Sequence, residues 1–211
     1  MPNHTDNLLS IVGRNKIKSI LKPYLSRNKV DGSFLDFNKI VPMPDCILDS
    51  LKFGDCNQIL KKRTERQKDA WKLMENKNKN KCLNETGVDG WYEWSIQNWG
   101  TKWNSYNNRF YKKDGCECLF FQTAWSVPEN VLRTLAMISG ETFRLAYLDE
   151  GYAFMGVQHF FSDGRVDDEY YDDVKMLPSD LKTFIGLEKA TFGGQTGVSS
   201  GALSQNRAGS Y

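Results

Sequence analysis

The C-terminal half of the chain contains a run of short apolar segments and turns that is compatible with few folds. Residues 118–124 are a candidate buried strand. A helix start follows, in which Ser126 caps the helix, Pro128 occupies its first turn and Glu129 completes a capping box. The predicted helix ends at Gly140. Its inward face consists of Val131, Leu132, Leu135, Ala136 and Ile138.

Three further strands are predicted after this helix, over residues 142–148, 152–161 and 166–171, with turns between them. The resulting order of elements predicts an α+β fold, a two-layer sandwich with an antiparallel or mixed sheet. It is similar to the split β-α-β arrangement of ferredoxin-like folds. Because that fold hosts many unrelated activities, it does not decide the function.

The N-terminal segment predicts a strand around Leu9 and Ile11 and a helix over residues 17–25, which Pro23 would shorten. Residues 34–41 alternate between apolar and polar side chains, so they predict a second strand, which the prolines that follow would end. The chain is therefore expected to form a single domain over residues 1–187, followed by a disordered tail over residues 188–211.

A basic helical insert is predicted over about residues 56–90, before a ferredoxin-like half over about residues 91–187. Residues 61–81 contain nine basic and three acidic residues. The helical composition is expected to end near residue 76, and residues 76–81 are expected to be a mobile loop. One interpretation is a solvated helix face. The alternative is a phosphate-binding surface on which Arg63, Arg66 and Lys72 project together.

The tryptophan block is the densest aromatic segment, with four tryptophans in residues 91–103. It predicts a short helix that Gly100 closes. One interpretation is a core plug, since indole rings bury large areas. The other is a recognition pocket in which Trp94, Trp99 and Trp103 stack on a ligand. The polar contacts of that pocket would come from Asn98, Thr101, Lys102 and Asn104.

An acidic stretch follows, because residues 141–180 contain ten acidic and three basic residues although the whole chain has a net charge of only +2. Within this stretch, residues 163–173 are interpreted either as an exposed hairpin and loop or as a surface for a basic partner protein, including imitation of a nucleic-acid backbone. Tyr170 and Tyr171 would anchor that partner. The carboxylates of this predicted surface belong to Asp163, Asp167, Asp168, Glu169, Asp172 and Asp173.

Several classes of protein are disfavoured by the sequence. It has no apolar run long enough for a membrane span and no signal-peptide pattern at its start, so a cytoplasmic location is expected. Five cysteines fit neither a disulfide framework nor a four-ligand zinc site. The only histidines, His4 and His159, are far apart, and no common phosphate-binding loop occurs. No catalytic residue, metal or cofactor is therefore assigned.

Five segments carry a resemblance to a known family. They are residues 1–3 together with Asn7 and Leu8, residues 37–44, residues 94–104, residues 121–128 and the turn at Glu150 and Gly151. In this order they are similar to the YubB-type family of phage and conjugative-plasmid proteins. The resemblance implies a ferredoxin-like domain and carriage on a mobile element. It implies no activity and transfers no catalytic residue.

These observations lead to two functional expectations. The first is a non-catalytic phage or plasmid protein in the bacterial host cytosol that engages a host protein and blunts a defence system. The second is a binder of single-stranded nucleic acid or nucleotides that uses the tryptophan block and the lysine-rich insert. An enzyme ranks last.

Overall fold

The computed structural model of the chain describes residues 3–14, 16–28, 32–53, 63–113, 115–179 and 182. The chain divides into two units, Met1–Leu177 and Pro178–Tyr211. All helices and strands named below belong to the first unit. The predicted tail over residues 188–211 lies outside the described residues, so its disorder stays a prediction.

The described residues contain eight strands. These are β1 (His4–Ile11), β2 (Leu25–Asn28), β3 (Gly32–Leu35), β4 (Tyr106–Lys113), β5 (Cys116–Ala124), β6 (Phe143–Asp149), β7 (Met155–Phe160) and β8 (Val166–Tyr170). Six of them form one antiparallel sheet in the order β4-β5-β1-β6-β7-β8, and β2 and β3 form a separate hairpin. In the sheet, Leu9 of β1 lies opposite Leu119 of β5 and Leu145 of β6. The strand that lies between β5 and β6 is therefore β1, from the N-terminal segment of the chain.

The described helices are α1 (Ile17–Leu21), α2 (Phe37–Ile40), α3 (Asp45–Ser50), α4 (Glu65–Thr86), α5 (Trp91–Trp99) and α6 (Glu129–Ser139). Short 3-10 turns occupy Lys22–Tyr24, Leu51–Phe53 and Val174–Met176. Pro23 lies in the first of these turns, so the prediction that it shortens the helix is confirmed. None of the described helices is long and apolar enough to cross a lipid bilayer.

One hydrophobic core joins the helices to the sheet. Leu9, Phe121 and Phe143 of the sheet are fully buried and belong to the same cluster as Leu21 of α1 and Leu132 of α6. Alternate strand residues point to one face, so this apolar face of the sheet is the one that the helices cover. The tryptophan block joins this core through α5.

The strand predicted over residues 34–41 is wrong beyond Leu35, because the chain turns there into α2. The Asp36 side chain accepts a hydrogen bond from the Asn38 amide at 3.1 Å and caps the helix. Phe37 and Ile40 are both buried, and their spacing of three residues matches one turn of a helix. A local cap and a helical burial pattern thus override the alternation of side chains.

The mobile loop predicted over residues 76–81 is also wrong, because these residues lie inside α4. Thr64 and Gln67 form a capping box at the start of this helix. Lys79 pairs with Glu75 at 2.9 Å, one helical turn away, and such pairs support an exposed helix. Residues 56–62 of the predicted insert lie outside the part of the chain that the structure describes.

The capping box predicted at Ser126 is wrong as well, since α6 begins at Glu129 and Pro128 occupies its cap position. The Ser126 hydroxyl instead donates to the carbonyl oxygen of Gly100 at 2.7 Å. The glycine stop after the helix is confirmed. Ile138, predicted to face inward, is 51% exposed, whereas the other four predicted core residues of this helix are buried.

Candidate functional site

Two tryptophans of the block lie in the core. Trp94 and Trp99 are 5% and 4% exposed, and their rings meet edge to face with centroids 5.7 Å apart. The Trp99 Nε1 group donates to the carbonyl oxygen of Val41 at 2.9 Å. The expectation that these two rings stack on a ligand is therefore wrong, because a ligand cannot reach them in this structure.

Three polar side chains of the block hold the fold together. The Thr101 hydroxyl is buried and donates to the Ala124 carbonyl at 2.9 Å. The Asn98 amide donates to the Trp94 carbonyl at 2.9 Å. The Asn104 side chain accepts from the Phe37 amide at 2.9 Å and also donates to Asp36. Thr101 is therefore inaccessible to a ligand, while the predicted ligand contacts of Asn98 and Asn104, which are partly exposed, stay a prediction.

Lys102 and Trp103, the other two predicted residues, lie at the surface within a cluster of rings. The Lys102 ammonium is 4.4 Å from the ring centroid of Trp125, 5.0 Å from that of Trp103, 5.5 Å from that of Tyr92 and 6.0 Å from that of Trp91. Each such contact is worth about 0.5–1 kcal/mol at an exposed site. We call these five residues the aromatic surface.

The rings of the aromatic surface remain open to solvent. Tyr92, Trp103 and Trp125 are 36%, 37% and 42% exposed. Within the described residues, Lys102 makes ring contacts only, and its three N–H donors have no hydrogen-bond acceptor. An ammonium group that is screened by rings and has unused donors is suited to receive a carboxylate, a carbonyl or a phosphate group.

Trp125 reaches this surface through a strained backbone. Its φ angle of 71° lies in the left-handed region, which costs a residue with a side chain about 1–2 kcal/mol. The Trp125 amide donates to the Asn3 carbonyl at 3.0 Å, and the Thr123 hydroxyl donates to the Ser126 carbonyl at 2.7 Å. These bonds hold the loop in place, and strain held in this manner is often found at binding sites.

A second exposed aromatic residue at the same end of β1 also has a left-handed backbone. Tyr152 is 53% exposed and has a φ angle of 58°. Its loop is tied to the start of β1, since the Glu150 amide donates to the His4 carbonyl at 2.8 Å. The ring of Trp103 lies 6.4 Å from that of Tyr106, centroid to centroid. The exposed rings thus extend from α5 to the start of β1.

His4 lies beside Tyr106 at the edge of these rings, with Nδ1 and the tyrosine oxygen 2.6 Å apart. The Tyr106 hydroxyl donates to the Thr123 carbonyl at 3.0 Å, so the proton between the two side chains belongs to His4 Nδ1. Burial, reinforced by the carboxylates of Asp6 and Glu150, raises the pKa of Tyr106 to about 12. The tyrosine is therefore a neutral group that positions the imidazole.

The predicted basic site does not form. Arg63 precedes α4 and stacks on Trp71, with the guanidinium carbon 4.4 Å from the ring centroid. Arg66 and Lys72 are exposed, but six residues of helix place them about 120° apart around the axis. Lys68 pairs with Glu65 at 2.7 Å. The three predicted cations therefore do not converge, and the local charge is partly neutralised.

The acidic stretch lies at one edge of the sheet. Asp167, Asp168 and Glu169 belong to the exposed edge strand β8, and Asp172 follows it. Asp163 accepts from Arg165 at 2.8 Å, and this hydrogen bond lowers the pKa of the aspartate. Tyr170 is 55% exposed. The Tyr171 hydroxyl donates a hydrogen bond to Glu169. The Asp173 side chain accepts a hydrogen bond from the Lys175 amide. The predicted exposure is confirmed, while the partner stays a prediction.

The fold and the surface define a ferredoxin-like α+β domain that exposes an aromatic cluster. Residues 98–183 match the family model of the ferredoxin-like domain in Api92-like protein, and the predicted ferredoxin-like fold is confirmed. The matched segment includes Lys102, Trp103 and Trp125, whereas Trp91 and Tyr92 precede it. Among the described residues, no group of three or more histidine, cysteine, aspartate or glutamate side chains is placed to hold a metal ion.

One solved structure with a similar chain is that of protein api92 from Yersinia pseudotuberculosis. The two chains are 11% identical, and the alignment covers 81% of this chain and 98% of that chain with a TM-score of 0.46. No curated protein matches the chain.

Proposed function

We propose that this chain is a non-catalytic binding protein that docks a partner protein on the aromatic surface. The observation that carries the proposal is the ring cluster around Lys102, in which three rings are each more than a third exposed. Tryptophan and tyrosine are enriched among the residues that dominate binding energy at protein interfaces. A contiguous exposed aromatic patch is also unusual on a protein that has no partner.

The strained backbone at Trp125 supports the same proposal. A glycine would adopt a φ angle of 71° without cost. The residue at this position is instead a tryptophan, the largest of the side chains, and it is 42% exposed. The ring does not belong to the hydrophobic core, so its exposed part can contact a partner. A rigid loop that presents the ring before the partner arrives would reduce the entropy lost on binding.

The biological context that we propose for this function is based on the resemblance to the YubB-type family. Carriage on a phage or plasmid, a host bacterial protein as the partner, a role against host defence and a location in the bacterial cytosol are all parts of the proposal. Lys102 adds a chemical requirement, because its unused donors call for a carboxylate or carbonyl group at the centre of the partner's interface.

Affinity capture from bacterial lysate, followed by titration with the purified partner, tests the proposal. Trp125→Ala and Lys102→Met are each expected to weaken binding at least tenfold, because they remove a ring and the central ammonium. Tyr111→Ala is the matched control, since Tyr111 is also an exposed aromatic residue but belongs to neither the aromatic surface nor the acidic edge. Equal loss of binding in all three variants would contradict the proposal.

Single-stranded nucleic acid is the second candidate ligand, and the exposed rings beside an ammonium group favour it, because bases stack on aromatic side chains. Titration with a twelve-nucleotide thymidine oligomer separates the two functions. Protein docking predicts unchanged tryptophan fluorescence. Nucleic-acid binding predicts quenching by the oligomer and an affinity that falls steeply between 50 and 200 mM salt, roughly in proportion to the number of phosphates contacted.

A further inference from the structure

Two carboxylates from different elements meet beside the acidic edge of the sheet. Glu129 is the first residue of α6, and Asp168 lies in β8. The side-chain amide nitrogen of Gln158 lies 3.4 Å from Glu129 Oε2 and 3.2 Å from Asp168 Oδ2. One amide group therefore bridges both carboxylates through two long hydrogen bonds.

The amide of Gln158 is itself incompletely bonded. The residue is 4% exposed, and its buried Oε1 atom has no hydrogen-bond partner among the described residues. The orientation of the amide is fixed by chemistry, because ionised carboxylates only accept hydrogen bonds and so must face the nitrogen. A buried acceptor without a donor is uncommon in folded proteins and calls for an explanation.

The neighbours of the pair leave it with a negative charge. Arg133 pairs with the other oxygen of Glu129, one turn along α6, and the part of the chain that the structure describes offers its buried Nε atom no acceptor. The Tyr147 hydroxyl donates to the other oxygen of Asp168 at 2.9 Å. Burial raises the pKa of Tyr147, so it stays a neutral donor. One cation thus faces two carboxylates, and the Glu129 side chain is 37% exposed to solvent.

We propose that Glu129, Asp168 and Gln158 form a binding site for the cationic side chain of an arginine or lysine in a basic segment of a partner protein. The two carboxylate oxygens that now share one neutral amide would bind the cation, and a guanidinium group can donate to both. The Gln158 amide, whose oxygen lacks a donor among the described residues, is then released from both carboxylates.

The surroundings of the site favour an organic cation on a basic segment. Asp167, Glu169 and Asp172 lie beside the site on the exposed edge and attract basic chains at long range. Glu129 and Asp168 supply two carboxylates, which is too few for a calcium ion, because calcium takes six to eight oxygen ligands. The site shares no residue with the aromatic surface, so it stands independently of the function proposed above.

Nuclear magnetic resonance titration of the full chain tests the site, with the side-chain amide signal of Gln158 as reporter. That signal is assigned by triple-resonance experiments on the isotope-labelled wild-type chain. The probe is a nine-residue peptide of alternating arginine and glycine with blocked ends, and the matched control peptide has citrulline in place of arginine. The arginine peptide is expected to shift the signal saturably, and the citrulline peptide is expected to leave it in place.

Variants then separate this site from general charge attraction. Asp168→Asn and Glu129→Gln are expected to weaken peptide binding at least tenfold, and Asp163→Asn less than twofold, because Asp163 is paired with Arg165. Trp125→Ala is expected to leave this binding unchanged. An unshifted Gln158 signal in the wild-type chain, a shift with citrulline, or equal weakening by Asp163→Asn would overturn the proposal, and the first two results need no variant to fold.

Discussion

Replacement of Trp99 by phenylalanine distinguishes the buried part of the tryptophan block from its exposed part. The smaller ring keeps the edge contact with Phe37, whose centroid is 5.9 Å away, but loses the bond from Nε1 to the Val41 carbonyl. Loss of this bond leaves the part-buried Val41 carbonyl without its donor, at a cost of about 1–3 kcal/mol. The lost apolar area costs about another 1 kcal/mol. Trp99→Phe is therefore expected to lower the free energy of unfolding by about 2–4 kcal/mol.

Trp103→Phe is the matched control, because Trp103 is 37% exposed and Trp99 only 4%. We expect it to change the free energy of unfolding by less than about 0.5 kcal/mol. Urea denaturation followed by circular dichroism measures both variants. In thermal unfolding, the Trp99 variant should lose about 4–16 °C of midpoint temperature, at about 2–4 °C per kcal/mol for a chain of this size. Equal losses in the two variants would refute the assignment of Trp99 to the core and Trp103 to the surface.

Three further predictions concern the sheet and its edges. Gly156→Ala should destabilise the fold by about 3 kcal/mol in thermal unfolding, since a Cβ there overlaps the Tyr147 hydroxyl; an unchanged midpoint would contradict this. The pKa of Asp163 should lie below 3.8 by nuclear magnetic resonance and rise in Arg165→Gln. The stabilisation from that pairing is present above pH 3.8 and lost as the pH falls. Ultraviolet titration should place the pKa of Tyr106 near 12 rather than 10.0, so its contribution to stability is complete below pH 10 and declines as the pH rises towards 12.

The C-terminal half was predictable because its pattern is strong. Helix α6 has four buried residues at helical spacing and a glycine stop, and the strands around it are short apolar runs between turns. Strand β4 escaped prediction, since its sequence from Tyr106 to Lys113 has few apolar residues. It is an edge strand that pairs on one side, so it needs less apolar surface than a central strand.

The sequence predicted that this segment is a helix, α4, but not how far the helix extends. Cys82 is its one buried residue, so no hydrophobic period marks its course through the alternating asparagines and lysines. The helix continues because of its capping box, its ion pairs and Gly87, which closes it with a φ angle of 79°. These contributions are small individually, and composition alone resembles that of a loop.

The sequence locates the tryptophan block but does not show which of its tryptophans are buried and which are exposed. Trp94 and Trp103 are the same residue type, and the feature that separates them is the end of α5 at Gly100, beyond which the chain follows the surface. Trp125 joins the aromatic surface from 22 positions beyond Trp103. Its role depends on the sheet, which brings the end of β5 beside α5, and no local pattern marks that contact.

The close packing of Gly100 against α6 links the two proposed binding sites. A Cβ at Gly100 would lie 2.9 Å from the Glu129 amide and 3.2 Å from the Val127 carbonyl, and the Ser126 hydroxyl already donates to the Gly100 carbonyl. The aromatic surface lies on one side of this contact, through Lys102, and Glu129 of the carboxylate pair lies on the other. Because a side chain at Gly100 would not fit, the two backbone segments are closely packed, and a partner that moves the loop before α6 at the aromatic surface is expected to move the backbone of Glu129 as well.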